Sequence, residues 1–175
     1  MNADERGVLT EIYRVAWSPE TAAVQWNFVR TEAGVMRGVR VHVAHDDYVV
    51  VLHGRLCVGM RDLRRGSPTD DLSAVVELGD EALTLLSIPA GVAHGLYSVE
   101  PSLFLIGVSS YHDPDDQKGC HWADPELGIP WPFASARVSE ADAVGGSVAE
   151  MLARVPAWSQ ARSGSPAIFR SDATA

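Results

Sequence analysis

Cysteine is nearly absent from this chain. Cys57 and Cys120 are the only two in 175 residues, too few for a disulfide framework and suited to a reducing compartment. No apolar run approaches the roughly 18 residues that a membrane span needs. The opening MNADERG is polar and acidic where a secretory leader has its apolar core. Positive charge is scarce, with 14 Lys and Arg against 23 Asp and Glu and a net charge of −9. Nucleic acid and acidic membrane surfaces want clustered cations, so neither is expected as a partner. A phosphorylated small molecule stays open, since a few well-placed arginines suffice for it. A long helical period between the apolar segments is also missing, which argues against parallel α/β architecture. What remains is a cytoplasmic globular chain long enough to bury a real core.

Short β-branched and aromatic runs make up most of that chain. Gly7–Trp17, Val24–Arg30, Val35–Val43, Tyr48–Leu52 and Arg55–Arg61 read as strands, followed by Leu72–Leu78, Ala82–Ile88, His94–Val99 and Ser102–Ser109. Gly, Pro and Asp punctuate them, and Asp62–Asp71 (DLRRGSPTDD) reads as a surface connection. Strands at this spacing predict an all-β sandwich or small barrel. A single clear helix comes late, where Ser147 and Glu150 form a capping box ahead of the stripe Val148, Met151, Leu152 and Val155, and Pro156 ends it. One domain over 1–158 and a mobile tail over 159–175 follow from the composition.

The stretch from Ala33 to Gly54 organises the rest. Residues two apart on a strand share a face, so Arg40 and His42 point one way and Val39 and Val41 the other. A cation and an imidazole opposite valines suit the wall of a polar cavity. His94 arrives from Pro89-x-Gly91-x-x-His94, a turn that delivers a histidine onto a new strand. His42 and Asp47 are separated by four residues, and Asp47 and Gly54 by six. Those spacings resemble the paired motifs of the cupin superfamily, with Arg40 in the first histidine place and Asp47 in the glutamate place. His42, Asp47 and His94 are a combination able to hold a divalent transition metal. The alternative is that both histidines only hydrogen-bond inside the cavity.

A longer resemblance covers roughly Asp4 to Val155. DERGVLTE, QWNFVRTEAGVMRGVR, DLRRGSPT, IPAGVAHG and DPELGIPWP stand in the order of the dTDP-4-dehydrorhamnose 3,5-epimerase family, a branch of the cupins. The resemblance implies a cupin-type jelly-roll barrel, a homodimer made by strand exchange, no cofactor and a sugar-nucleotide partner. It places Arg6, Glu11, Gln25, Asn27 and Arg37 at the positions that hold the nucleotide and its phosphates. Arginine forks match phosphate oxygens, and amide side chains can read a pyrimidine edge.

The family's catalytic positions are altered. Arg40 stands where the resemblance puts a histidine base, Asp47 where it puts a lysine for the enolate oxygen, and Ile106 where it puts a tyrosine acid. His112, beside Tyr111, takes a second tyrosine place, His94 is kept, and Glu140 is the candidate for the acidic partner of the lost histidine. Guanidinium cannot serve as a base, Ile106 has no proton to give, and Asp47 repels an enolate. Losing one acid–base group costs about 10²–10⁴ in rate, so the standard double epimerisation is expected to be weak or absent. His42 or His94 as base with Arg40 as the oxyanion cation still permits enolisation, and Tyr111 or His112 stands to return the proton. The expectation is an isomerase of diverted chemistry, suited to deoxysugar or secondary metabolism. A metal-dependent cupin using His42, Asp47 and His94, and a non-catalytic binding cupin, are the alternatives.

Overall fold

Alternation along each strand decides which residues meet. The computed structural model describes residues 2–17, 21–111 and 113–159. Strands β1 (Asn2–Asp4) and β2 (Gly7–Leu9) form a hairpin that joins neither of two larger antiparallel sheets. The first of these sheets runs β3 (Gln25–Thr31), β10 (Ser102–Val108), β5 (Asp47–His53), β8 (Leu85–Ile88). The second runs β11 (Lys118–Gly119), β4 (Met36–Val41), β9 (Val92–Ser98), β6 (Arg55–Asp62), β7 (Ser73–Gly79). Two faced antiparallel sheets with almost no helix are the cupin-type β fold.

Two cores result. Between the sheets pack Val49 and Val51 of β5, Leu56, Val58 and Met60 of β6, Leu86 and Ile88 of β8, Val92 and Leu96 of β9, and Phe104 of β10. The residues alternating with these on the second sheet face outward. There Met36, Val39, Val41 and Ala93 are covered by Trp122, Leu127, Ile129, Val148, Met151 and Val155. Gly59 makes room for that cover, since a Cβ on it would lie 2.3 Å from the Trp131 ring. Met36 and Val39 share a core although they stand three positions apart. The register shift between Gly38 and Arg40 reconciles the two, and it brings Arg37 to the same face as Arg40.

The expected strands hold with boundary shifts, except at the N-terminus. Only Gly7–Leu9 of the expected Gly7–Trp17 strand is extended in a sheet, and Val15–Trp17 is a turn of 3-10 helix. The intervening Tyr13 instead packs edge-on against Trp26 and Tyr48, 5.2 and 5.8 Å between ring centres. The capping-box helix is α2, Val148–Arg154. A second helical turn, α1 (Glu140–Ala143), precedes it, capped by the Ser139 hydroxyl on Asp142 N. Asp62–Asp71 is no simple surface connection, because Asp62, Arg64 and Ser67 are buried. The expected tail lies, from residue 160 on, outside the described residues.

Candidate functional site

Strand alternation assembles a polar patch at one end of the inter-sheet core. Asp47 shares its face of β5 with Val49 and Val51, and His94 shares its face of β9 with Val92 and Leu96. Arg40 lies opposite His94 in the β4–β9 register, with His42 two residues on. Gly91 ties the two histidine segments together. Its N–H donates to the His42 carbonyl at 2.7 Å, at a φ of +84° where a Cβ would lie 2.6 Å from Arg64 Cγ. Only glycine suits that position.

The imidazoles are oriented by the backbone. His42 Nδ1 donates to the Asp116 carbonyl at 2.9 Å, and His94 Nδ1 to the Val92 carbonyl at 3.1 Å. In the neutral tautomers that these contacts select, each Nε2 carries the free lone pair. Those Nε2 atoms lie 3.9 Å (His42) and 3.7 Å (His94) from Asp47 Oδ2. A third imidazole, which sequence reading missed, completes the group. His45 is stacked on His42 at 4.3 Å between ring centres, with its Nε2 3.9 Å from the same Asp47 oxygen. His45 sits in a loop fastened by Asp116, whose two carboxylate oxygens accept from Val43 N and Ala44 N at 2.9 and 3.0 Å. Its Nδ1 is 3.1 Å from Asp116 Oδ2 but without hydrogen-bond geometry. Among the described residues, two sets of donor atoms are close enough to hold an ion: His42 with Asp47 and His94, and His42 with His45 and Asp116.

Burial sets the charge state here. It pulls His42 down to about 4, with the neighbouring His94 adding to the effect and Asp47 opposing it. It pulls His94 to about 4 as well, against the Val92 carbonyl. Burial pushes Asp47 up to about 6 although His42 and His45 act the other way. The pH dependence of stability follows. The histidines' contribution is complete above their unfolded value near 6.5 and is lost as pH falls toward about 4. Asp47 acts oppositely, taking a native-state proton as pH drops through about 6. Asp47→Asn in chelator-treated protein is therefore expected to be about 2–3 kcal/mol more stable than the parent at pH 8. It should lose stability more steeply than the parent between pH 6 and pH 4. Equal melting curves for parent and variant at pH 8 refute this.

Arg40 is drawn toward the C-terminal segment. Its Nε and Nη2 donate to Asp142 Oδ1 at 3.2 and 2.6 Å, and Nη1 to Gln117 Oε1 at 3.1 Å. Asp142, not Glu140, is thus the acidic partner. The Ser139-capped turn buries Asp142 and leaves Glu140 exposed. Beside Arg40 opens a cavity of about 680 Å³, lined also by Lys118, Asp142, Glu150 and Arg154. None of His42, Asp47 and His94 lines it.

The remaining candidates divide. Gln25 and Asn27 share their face of β3 with Val29, which packs on the inter-sheet core, and Gln25 Nε2 donates to Asn27 Oδ1 at 3.0 Å. Ile106 stands between Asn27 and Val49 in register and packs on the same core, so an aliphatic side chain does occupy that wall. Arg37 is exposed on β4. Arg6 and Glu11 are not brought to this group within the chain. Arg6 caps the β1–β2 turn on Asp4, and Glu11 pairs with Arg14, both exposed. Tyr111 is 75% exposed on the loop after β10, and His112 lies outside the described residues.

Known proteins resemble this chain along most of its length. The family model described as dTDP-4-dehydrorhamnose 3,5-epimerase matches residues 1–150. The dTDP-4-dehydrorhamnose 3,5-epimerase of Pseudomonas aeruginosa is 33% identical over 156 residues, covering 84% of this chain and 86% of that protein. The dTDP-4-dehydrorhamnose 3-epimerase of Streptomyces niveus is 31% identical over 149 residues, 80% of this chain and 72% of that one. A crystal structure of the Legionella pneumophila dTDP-6-deoxy-D-glucose-3,5-epimerase with dTDP-4-keto-L-rhamnose superposes with a TM-score of 0.78. The two are 30% identical over 89% of this chain and 88% of that one. With the fold, the block order and these matches in agreement, the chain belongs to the dTDP-4-dehydrorhamnose 3,5-epimerase family of isomerases.

Proposed function

We propose that this protein binds a dTDP-linked 4-keto-6-deoxyhexose and moves a proton on a carbon beside the ketone, in place of the standard double epimerisation. The observation that carries this reading is the patch itself. Ionisable groups, Arg40, His42, Asp47 and His94, gather at one end of the inter-sheet core, and by the family resemblance a guanidinium, a carboxylate and Ile106 replace the expected base, cation and acid. A neutral imidazole of His42 or His94, its Nε2 free, serves as the base. Arg40 uses three of its five N–H groups on Asp142 and Gln117, leaving two to face an oxyanion. Tyr111, on the loop after β10, or His112 returns the proton.

Gln25, Asn27 and Arg37 grip the nucleotide from one subunit. Arg6 and Glu11 reach it from another, since the hairpin that carries Arg6 and ends two residues before Glu11 joins neither larger sheet among the described residues of its own chain. Exposed Val8 and Leu9 on that hairpin and Phe28 on β3 support a homodimer that exchanges strands. The whole of 1–158 acts as one cupin domain on a cytoplasmic sugar nucleotide. No helix among the described residues is long and apolar enough to cross a membrane.

Thermal melting with dTDP tests the binding half. A ligand at 100 times its Kd adds about 2.7 kcal/mol of stability, so millimolar dTDP should raise the melting temperature by several degrees. Arg37→Ala should weaken dTDP about 10- to 100-fold, the worth of a charged hydrogen bond to phosphate. A melting curve unmoved by millimolar dTDP removes the nucleotide reading. A non-catalytic cupin would bind dTDP but show no deuterium exchange into a dTDP-4-keto sugar.

A further inference from the structure

We infer that His45 is a positioning residue, whose ring forms a fixed wall that holds the His42 imidazole in the direction a base needs. This role rests on the proton-transfer reading above and gives a part in it to a residue that spacing alone does not single out. Three observations point to it. The first is contact. The two rings are stacked, their centres 4.3 Å apart and their planes 29° from parallel, and His45 is 5% exposed. One face of His42 is therefore covered, and its ring cannot swing that way without striking a neighbour. His94 stands farther off, 5.6 Å between ring centres and tilted by 51°.

The second observation is how the wall is held. Among the described residues His45 Nδ1 has no hydrogen-bond partner, and its Nε2 is 3.9 Å from Asp47 Oδ2, beyond hydrogen-bond reach. The ring is placed instead by the backbone on both sides of it. Before it, Val43 N and Ala44 N donate to the Asp116 carboxylate at 2.9 and 3.0 Å. After it, Asp46 N donates to Ser109 Oγ at 2.9 Å, and Asp46 Oδ1 accepts from Ala90 N at 2.9 Å. Ser109 N closes the set on the Asp46 carbonyl at 3.1 Å. A ring between two fastened neighbours is stiff without a hydrogen bond of its own. Its face, not its nitrogens, makes the contact that matters.

The third is a shared anchor. The Asp116 carbonyl accepts from His42 Nδ1 at 2.9 Å, while the Asp116 carboxylate holds the loop that carries His45. Base and wall are thus registered to one residue. The stack closes a face of His42, the carbonyl fixes its Nδ1 edge, and the Nε2 edge is left, 3.9 Å from Asp47 Oδ2. Proton abstraction needs the reacting atoms about 3–3.5 Å apart and aligned, and a displacement of about 1 Å can cost about 10²-fold. Removing the wall lets the ring turn off its carbonyl and takes the lone pair out of line.

Deuterium exchange into a dTDP-4-keto-6-deoxy sugar, together with nitrogen-15 spectra of the imidazoles, tests this in the chelator-treated full chain. His45→Ala should lower kcat for exchange about 10- to 100-fold, while KM and the affinity for dTDP stay within about twofold. His45→Phe keeps an aromatic face in the stack and should hold kcat within about threefold of the parent. His53→Ala, at an exposed histidine beside Asp80, should change nothing. In the spectra His42 should carry its proton on Nδ1 alone in the parent and in His45→Phe, and on either nitrogen in His45→Ala. Parental kcat in His45→Ala, or a folded His45→Phe as slow as His45→Ala, overturns the inference. Should the larger ring prevent folding, His45→Ala decides alone. A parent that exchanges no deuterium removes the reaction, and the spectra then decide the positioning. A single His42 tautomer in His45→Ala overturns it.

Discussion

In deuterated buffer, chelator-treated His94→Asn is expected to lose about 10²–10⁴ of the exchange at the carbon beside the sugar ketone, while its affinity for dTDP stays within about twofold. The split follows from where His94 sits. It projects from β9 into the inter-sheet space at the end lined by Asp47 and His42, and Gln25 and Asn27, proposed above to hold the nucleotide, lie on another strand of the opposite sheet. Asparagine keeps a polar side chain of similar reach but has no basic nitrogen, so orientation survives and proton abstraction does not. Removing one acid–base group without removing binding lowers kcat and leaves KM nearly alone. Arg40→Ala behaves differently. It removes the proposed oxyanion cation and strands the buried Asp142, so both constants should worsen. Exchange in His94→Asn at the parental rate takes His94 out of the chemistry.

Asp62→Ala is expected to cost about 3–5 kcal/mol, the penalty for leaving a buried charge without its partner. Arg64 is that partner, 8% exposed. Asp62 accepts from Arg64 N and Nε, both at 2.9 Å, and from Arg64 Nη2 at 2.7 Å. It also accepts from the hydroxyls of Ser67 and Thr69 at 2.8 and 2.6 Å. Burial alone would raise the Asp62 carboxyl, but the hydrogen bonds from Arg64, Thr69 and Ser67 outweigh it and hold the group below the usual carboxylate value. The damage should extend to the site. Leu63 N donates to the Gly91 carbonyl, and the Arg64 stem packs against Gly91, on the turn that delivers His94. At about 2–4 °C per kcal/mol for a chain of this size, the melting temperature should fall by roughly 6–20 °C. A change under 1 kcal/mol in urea unfolding would falsify this role.

Period-two alternation carried much of the fold in the sequence. It put Val39 and Val41 opposite Arg40 and His42, and the structure packs those valines under the C-terminal cover. The capping box at Ser147 and Glu150 was legible because both halves of it are local. What stayed hidden is non-local. His45 looks like a loop residue three positions past His42, and partners distant in the chain, Asp116 on Val43 and Ala44 and Ser109 and Ala90 on Asp46, fix that loop. Asp142 was missed in favour of Glu140 because the choice depends on a hydroxyl cap at Ser139, which fixes the turn that buries Asp142 and leaves Glu140 exposed. The Gly7–Trp17 segment has strand composition but, among the described residues of its own chain, no neighbouring strand beyond β1. Composition signals propensity, and pairing needs a partner.

Strand β3 pairs with β10 alone, from Gln25 against Val108 to Thr31 against Ser102. A ribosome reading from the N-terminus therefore delivers β3 long before anything exists for it to bond to. The first sheet cannot close until Val108 has emerged, and the two acidic props of the mouth, Asp116 and Asp142, emerge later still. Chemistry is thus the last competence that a nascent copy acquires. Partly made chains leave a polar-lined opening without buttresses, and the loop closures that fold this molecule span most of its length.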